Sequence, residues 1–253
     1  MTGIDLNSDV GESYGVWKIG DDDGMMQVVT SANVACGFHG GDPSTLRSAC
    51  AAATANGVAI GAQVSYPDLA GFGRRFLAMT EAELRDAVLY QLGALDAFAQ
   101  VAGSEVAYIK PHGALYHATV DNEAHARAVV LAAAEYDPSL AVLGFPDSML
   151  LAEAERAELE AVPEAFVDRA YDTDGRLVSR SIPGAVITDP EEVAARAVRL
   201  AIDGAVAAID GTMINVRGRS LCVHGDTTGA VDLATAARQA LDAAGVAVSA
   251  FTA

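Results

Sequence analysis

Four short segments of this chain gather side chains suited to acid–base, ligand or anion chemistry. The first reads Asp5-Leu6-Asn7-Ser8-Asp9-Val10-Gly11-Glu12. Side chains alternate along a strand, so Asp5, Asn7 and Asp9 share one face and Ile4 and Leu6 the other. Polar groups on a buried face are costly unless they pair with one another, bind a metal or meet a ligand. Asp9 and Glu12 are candidate general bases, and Asn7 is a candidate substrate contact. The second segment, Asn33-Val34-Ala35-Cys36-Gly37-Phe38-His39-Gly40-Gly41-Asp42-Pro43, adds Asn33 as a further substrate contact. It places His39, a proton carrier or metal ligand, in a glycine-rich loop that a ligand can approach closely. Asp42 before Pro43 reads as a helix N-cap.

The third segment is Tyr108-Ile109-Lys110-Pro111-His112-Gly113. The chain holds two lysines, Lys18 and Lys110, against fourteen arginines, so lysine is not routine surface filler here. Lys110, with His112, suits stabilisation of an oxyanion or phosphate; a structural ion pair is the alternative. The fourth segment, Cys222-Val223-His224-Gly225-Asp226, offers His224 as a proton carrier or metal ligand. Asp226 reads as its partner, as a ligand contact, or as a cap of the last helix. Arg74 and Arg75 lie in the glycine-rich stretch 69–75, and Arg169 and Arg180 in the irregular stretch 168–187. Of these, Arg74 and Arg169 are the candidates for holding a substrate carboxylate.

These groups need a scaffold that brings distant segments together. Strand-like runs at 4–9, 32–37, 58–62, 106–111, 140–145, 165–170 and 221–225 alternate with helical stretches at 43–56, 81–102, 122–135, 147–159, 190–203 and 230–243. Thr80 and Asp189 read as helix starts, and Asn56-Gly57 and Asp203-Gly204 as stops. Such alternation predicts an α/β protein with parallel strands and helices outside them. About seven units fit a distorted (β/α) barrel spanning residues 1–253 as a single domain, better than an open nucleotide-binding sheet. The four segments then fall where barrel strands end, the usual place for a site.

Composition narrows the function. Sixteen basic against 34 acidic residues give a net charge of −18, which argues against nucleic acid and anionic membranes as partners. The three cysteines show no CxxC spacing, and nothing at the N-terminus reads as a signal peptide, so a reducing, cytoplasmic location is expected. Phosphate-loop, dinucleotide, H-E-x-x-H and G-x-S-x-G motifs are missing. Carboxylate, imidazole and amine chemistry, with or without a metal, is what remains.

Taken in order, several blocks resemble the LamB/YcsF family of 5-oxoprolinase A subunits over essentially the whole chain. They are Asp5 to Ser13, Ser31 to His39, Ser65-Tyr66-Pro67-Asp68 with Gly71 to Arg75, and Lys110 to Tyr116. Asp168-Arg169-Ala170-Tyr171, Leu177 to Arg180, Pro183 to Ile187 and Cys222 to Asp226 complete the set. The resemblance implies a barrel of the glycoside hydrolase/deacetylase type. It implies ATP-dependent opening of 5-oxoproline to L-glutamate, with ATP as co-substrate and subunits B and C as partners. The fold relatives use a metal held by Asp and His, which makes a divalent metal at His39 and His224 an expectation. Gln63 stands where many family members carry His, and an amide is a poor transition-metal ligand beside an imidazole. Two other readings stay open: a stand-alone metal-dependent deacetylase or amidohydrolase, and a non-catalytic subunit that binds substrate or organises its partners.

Overall fold

The computed structural model describes residues 3–252. Six parallel strands follow one another around a barrel: β1 (Asp5–Val10), β2 (Ser31–Ala35), β3 (Ala59–Val64), β4 (Val106–Pro111), β5 (Ala141–Gly144) and β6 (Ala161–Phe166). The chain then forms a separate antiparallel hairpin from β7 (Ala205–Ala207) and β8 (Met213–Asn215). It returns to the barrel as β9 (Ser220–Val223), which pairs with both β6 and β1 and closes the ring at seven strands. The expected seven-stranded α/β barrel is therefore the observed fold.

Alternation along the strands sorts residues into two layers. Leu6, Val34, Ile60, Ala62, Ile109, Val142, Leu221 and Val223 belong to the main apolar core, which includes the inner faces of the surrounding helices. A smaller cluster of Tyr108, Ala141, Leu143 and Val162, with Phe251 packed on Tyr108, fills part of the barrel interior. The rest of that interior is polar and holds the charged residues of the strands.

The long helices begin and end on chemistry legible in the chain. α2 (Pro43–Asn56) starts at Asp42, whose carboxylate accepts from the Ser44 and Thr45 amides at 2.9 Å. The same carboxylate accepts from Gly15 N–H, tying down the loop after β1. α3 (Glu81–Ala102) opens with a capping box between Thr80 and Glu83. α7 (Pro190–Asp203) opens at Asp189, and α8 is Ala230–Ala243. These four helices have the bounds expected from sequence. α5 (Glu123–Tyr136) is offset from expectation by one residue, and α6 (Met149–Arg156) is shorter than expected. Among the described residues, two short α-helices lie outside the expected set: α1 (Asp22–Met26), and α4 (Gly113–Asp121), which follows β4 directly.

One strand differs from expectation in a way that matters. β6 occupies Ala161–Phe166, four residues upstream of the expected 165–170. The expected bounds leave Pro163 and Glu164 outside the strand; proline cannot donate to a ladder, and buried glutamate is rare. In the barrel the Pro163 carbonyl accepts from Arg219 N–H at 2.8 Å, and Glu164 points inward to a cation. Residues 167–170 instead leave the sheet and carry the start of a long loop.

Gly61 illustrates how closely the interior is filled. A Cβ built there would collide with the Tyr108 ring. Gly61→Ala is expected to destabilise the protein by about 1–3 kcal/mol through overpacking. A thermal melt unchanged from wild type would show that the Tyr108 ring has room to move aside.

Candidate active site

At the C-terminal ends of the barrel strands a cavity of about 850 Å³ opens to solvent. Asp9, Glu12, Arg74, Lys110, His112, Arg169, His224 and Asp226, all singled out from sequence, line it. Asn7, Asn33 and His39 do not; they lie behind its wall as fully or almost fully buried side chains.

Lys110 sits at the floor, 3% exposed. Its ammonium donates to Glu164 Oε1 at 2.7 Å, and has Asn7 Oδ1 at 3.3 Å, Asp9 Oδ1 at 3.4 Å and Cys222 Sγ at 3.4 Å. Glu164 also accepts from Asn7 Nδ2 at 2.9 Å and from the Tyr116 hydroxyl at 3.0 Å. Asn33 bridges Asn7 Oδ1 and Asp9 Oδ1 at 2.7 and 2.8 Å, and itself accepts from the Tyr108 hydroxyl. Asn7 and Asn33 therefore use their amides to hold the charged residues in place. Burial works against the charge on Lys110, but the Asp9 and Glu164 carboxylates outweigh it and hold the amine well above its ordinary range. Burial likewise works against the Asp9 carboxylate, and Lys110 outweighs it, so Asp9 stays ionised far below the usual carboxylate range.

Beside this floor lies a second polar group. Gln63 Nε2 donates to Glu12 Oε1 at 3.0 Å and to His112 Nδ1 at 3.0 Å, while its Oε1 faces His39 Nε2 at 2.9 Å. The two imidazoles stack with centroids 4.1 Å apart. Burial pushes His39 down to about 4 and His112 well below its ordinary value, so both rings are neutral at pH 7. Burial, reinforced by the charge on Asp9, pushes Glu12 well up. Glu12, His39 and His112 each bring one potential ligand atom within 4.8 Å of the others. His224, the other expected ligand, is not in this group.

His224 pairs elsewhere. Its Nδ1 lies 3.0 Å from both Asp168 oxygens, and its backbone N–H donates to Asp168 Oδ2 at 2.9 Å. Its ring stacks on Phe166. Asp168 is fully buried; burial would raise its pKa, but His224 outweighs burial and lowers it. Of the three roles open to Asp226, pairing with His224 is not the one the structure shows: Asp226 is held by Arg74 and, at 3.0 Å, by Arg180. Nor does Asp226 cap the last helix, which begins after Gly229 without a side-chain cap. Arg169 donates to the carbonyls of Ala185 at 3.3 Å and Val178 at 2.7 Å, bracing the loop that follows β6.

Glu164 carries no signal in the sequence that marks it for this site; Asp168 and Tyr116 fall within the blocks that carry the family resemblance, but nothing local gives them a role. Glu164 is hidden by the shifted strand, and Asp168 lies just beyond that strand's end. Tyr116 occupies a helix that the alternation does not predict. Arg180 stands out only as one of several loop arginines.

Fold and site together define a parallel seven-stranded (β/α) barrel protein with a charged cleft at the C-terminal ends of its strands. The chain belongs to the LamB/YcsF family, whose model matches residues 4–253. A relative from Mycolicibacterium gilvum (strain PYR-GCK), named as the A subunit of 5-oxoprolinase, is 54% identical over 252 residues, covering 100% of both chains. One of the same name from Streptomyces coelicolor is 55% identical over 98% of this chain and 99% of the relative. The crystal structure of a lactam utilization protein from Thermus thermophilus superposes with a TM-score of 0.93 at 46% identity, over 98% of this chain and 100% of that one.

The site yields two stability predictions. Lys110→Met is expected to cost about 3–5 kcal/mol, because Glu164 and Asp9 lose their buried counter-charge. A denaturation midpoint equal to wild type would remove Lys110 from that role. The second concerns pH. An unfolded imidazole takes up a proton near 6.5, whereas His39 stays neutral down to about 4. The fold therefore loses up to about 3 kcal/mol through His39 as pH falls from 6.5 to 4. Asp5, raised by burial to about 6, gains its proton first in the folded state and acts in the opposite sense. The measurement is accordingly a difference: His39→Asn should lose less stability than wild type between pH 7 and 4.5. An equal loss in both proteins would contradict the assignment.

Proposed function

We propose that this chain is the A subunit of a 5-oxoprolinase, opening the lactam of 5-oxoproline to L-glutamate with ATP as co-substrate and with subunits B and C as partners. The observation that carries the proposal is full-length identity of 54–55% to relatives that bear that name. The cavity chemistry supports it.

A lactam is a stabilised amide. Transfer of the ATP γ-phosphoryl group to its carbonyl oxygen makes C5 electrophilic and releases ADP. Water then adds to C5, the C5–N bond breaks to leave an acyl phosphate, the ring nitrogen takes up protons to become the amino group, and a second water hydrolyses the acyl phosphate to the glutamate side-chain carboxylate and phosphate. The water needs a base. Asp9 is too weak a base for this task, since Lys110 holds its pKa far down. His224 is better placed: with Nδ1 donating to Asp168, its Nε2 presents a lone pair on a residue that lines the cavity. Asp168 fixes the tautomer and stabilises the imidazolium that forms. Arg74 and Arg180, which share the single carboxylate of Asp226, provide cationic surface at the cavity wall for the substrate carboxylate or a phosphate. Lys110, whose neighbours already include several acceptors, holds Asp9 in its ionised form and offsets the carboxylate charge beneath the substrate.

The test is L-glutamate formation from 5-oxoproline and ATP by this chain with its B and C partners. Glutamate is expected from the full mixture. His224→Ala should lower turnover by about 10²–10⁴-fold in protein shown by circular dichroism to be folded, although its thermal melt falls because the buried Asp168 loses its partner. No glutamate from folded, assembled subunits would overturn the proposal, and near-normal turnover by folded His224→Ala would remove His224 as the base.

A further inference from the structure

The cluster of Glu12, His39 and His112 has a donor set familiar from metal centres: two imidazoles and a carboxylate. Glu12 Oε1 and His112 Nδ1 are 3.5 Å apart, near the spacing of about 3.3 Å between ligand atoms around tetrahedral zinc. Yet the residues present do not fit a metal, because all three ligand atoms already bond to one side chain. That side chain is the carboxamide of Gln63.

The direction of each bond follows from a single carbonyl. His112 Nε2 lies 3.1 Å from the Phe72 carbonyl, which only accepts, so Nε2 carries the proton of the neutral ring. His112 Nδ1 is then a bare acceptor, and the Gln63 atom facing it must be the amino group. The amide is thereby oriented: its other hydrogen goes to Glu12, and its oxygen faces His39. An oxygen there requires a proton on His39 Nε2. His39 Nδ1 is left bare, buried and without a partner. The one ring nitrogen of His39 that points at the cluster is thus a donor, the wrong polarity for a cation.

We propose that Gln63 is a built-in replacement for a metal ion: its amide cross-links Glu12, His39 and His112 in a ligand-like arrangement and keeps the centre from taking up a transition metal. The centre is then a latent metal site, blocked by one side chain. Removing the amide frees three ligand atoms. Replacing it by imidazole supplies a fourth.

Cobalt(II) is the probe, since tetrahedral coordination gives it intense visible d–d bands. Wild type, dialysed against cobalt(II) and then against metal-free buffer, should retain well below one equivalent and show no such bands. Gln63→His and Gln63→Ala should each gain about one equivalent with d–d absorption. A second change, His39→Ala, should abolish the gain. One equivalent in the wild type, lost in His39→Ala, would overturn the proposal, as would metal-free behaviour of either variant when folded by circular dichroism. Nitrogen-15 NMR of the wild type provides a test that needs no variant. Both His39 and His112 should appear as Nε2–H tautomers, unshifted by zinc; His39 protonated at Nδ1 would overturn the proposed bond network.

Discussion

The cationic Lys110 inside the barrel is the constraint around which the site is arranged. A bare ammonium buried to this degree is prohibitively costly, so the barrel must supply anions and carbonyl oxygens within reach of it. β1 supplies Asp9 and Asn7, β6 supplies Glu164, and α4 supplies the Tyr116 hydroxyl that holds Glu164. Asn33 and Tyr108 fix these groups in turn. Strands far apart in sequence are thereby joined by one polar network, and their register is tied to it. A one-residue slip in any of these strands would turn its polar group out into the apolar layer beneath the helices.

The neighbouring amide cluster achieves neutrality by a different route. Where Lys110 balances charge against charge, Gln63 links groups that avoid charge. Two stacked imidazoles buried side by side cannot both be protonated, and Glu12 is pushed towards its neutral form by burial and by Asp9. An amide, with donor and acceptor on one rigid plane, can meet all three groups without adding charge. The close approach of Gly73 fits this packing: a side chain there would collide with His39 and His112.

The cavity wall is built from loops, and there the polar groups remain adjustable. Arg74 is 40% exposed and Arg180 29% exposed, with Asp226 between them. Such pairs contribute little to stability and rearrange readily when an anion competes. The strands hold the floor to a fixed geometry, whereas the wall rests on loops and partly exposed ion pairs.

Sequence by itself determined the layout of strands and helices, because capping residues, terminal glycines and apolar period act locally. It also marked Asp9, Glu12, Lys110, His112 and His224, since titratable groups at the ends of apolar strands are costly without a partner or purpose. Pairing was beyond it. Asp168 rather than Asp226 meets His224 because the chain leaves the sheet after Phe166, a turn no local signal announces. Glu164 escaped notice because it falls outside the expected strand bounds, and only the cation across the barrel explains a buried glutamate there. Gln63 was visible as an oddity, but its role depends on three side chains from other segments converging on one amide. Barrel closure decided each of these, because it sets distances between residues dozens to hundreds of positions apart, and hydrogen bonds and close ion pairs form only within a few ångströms.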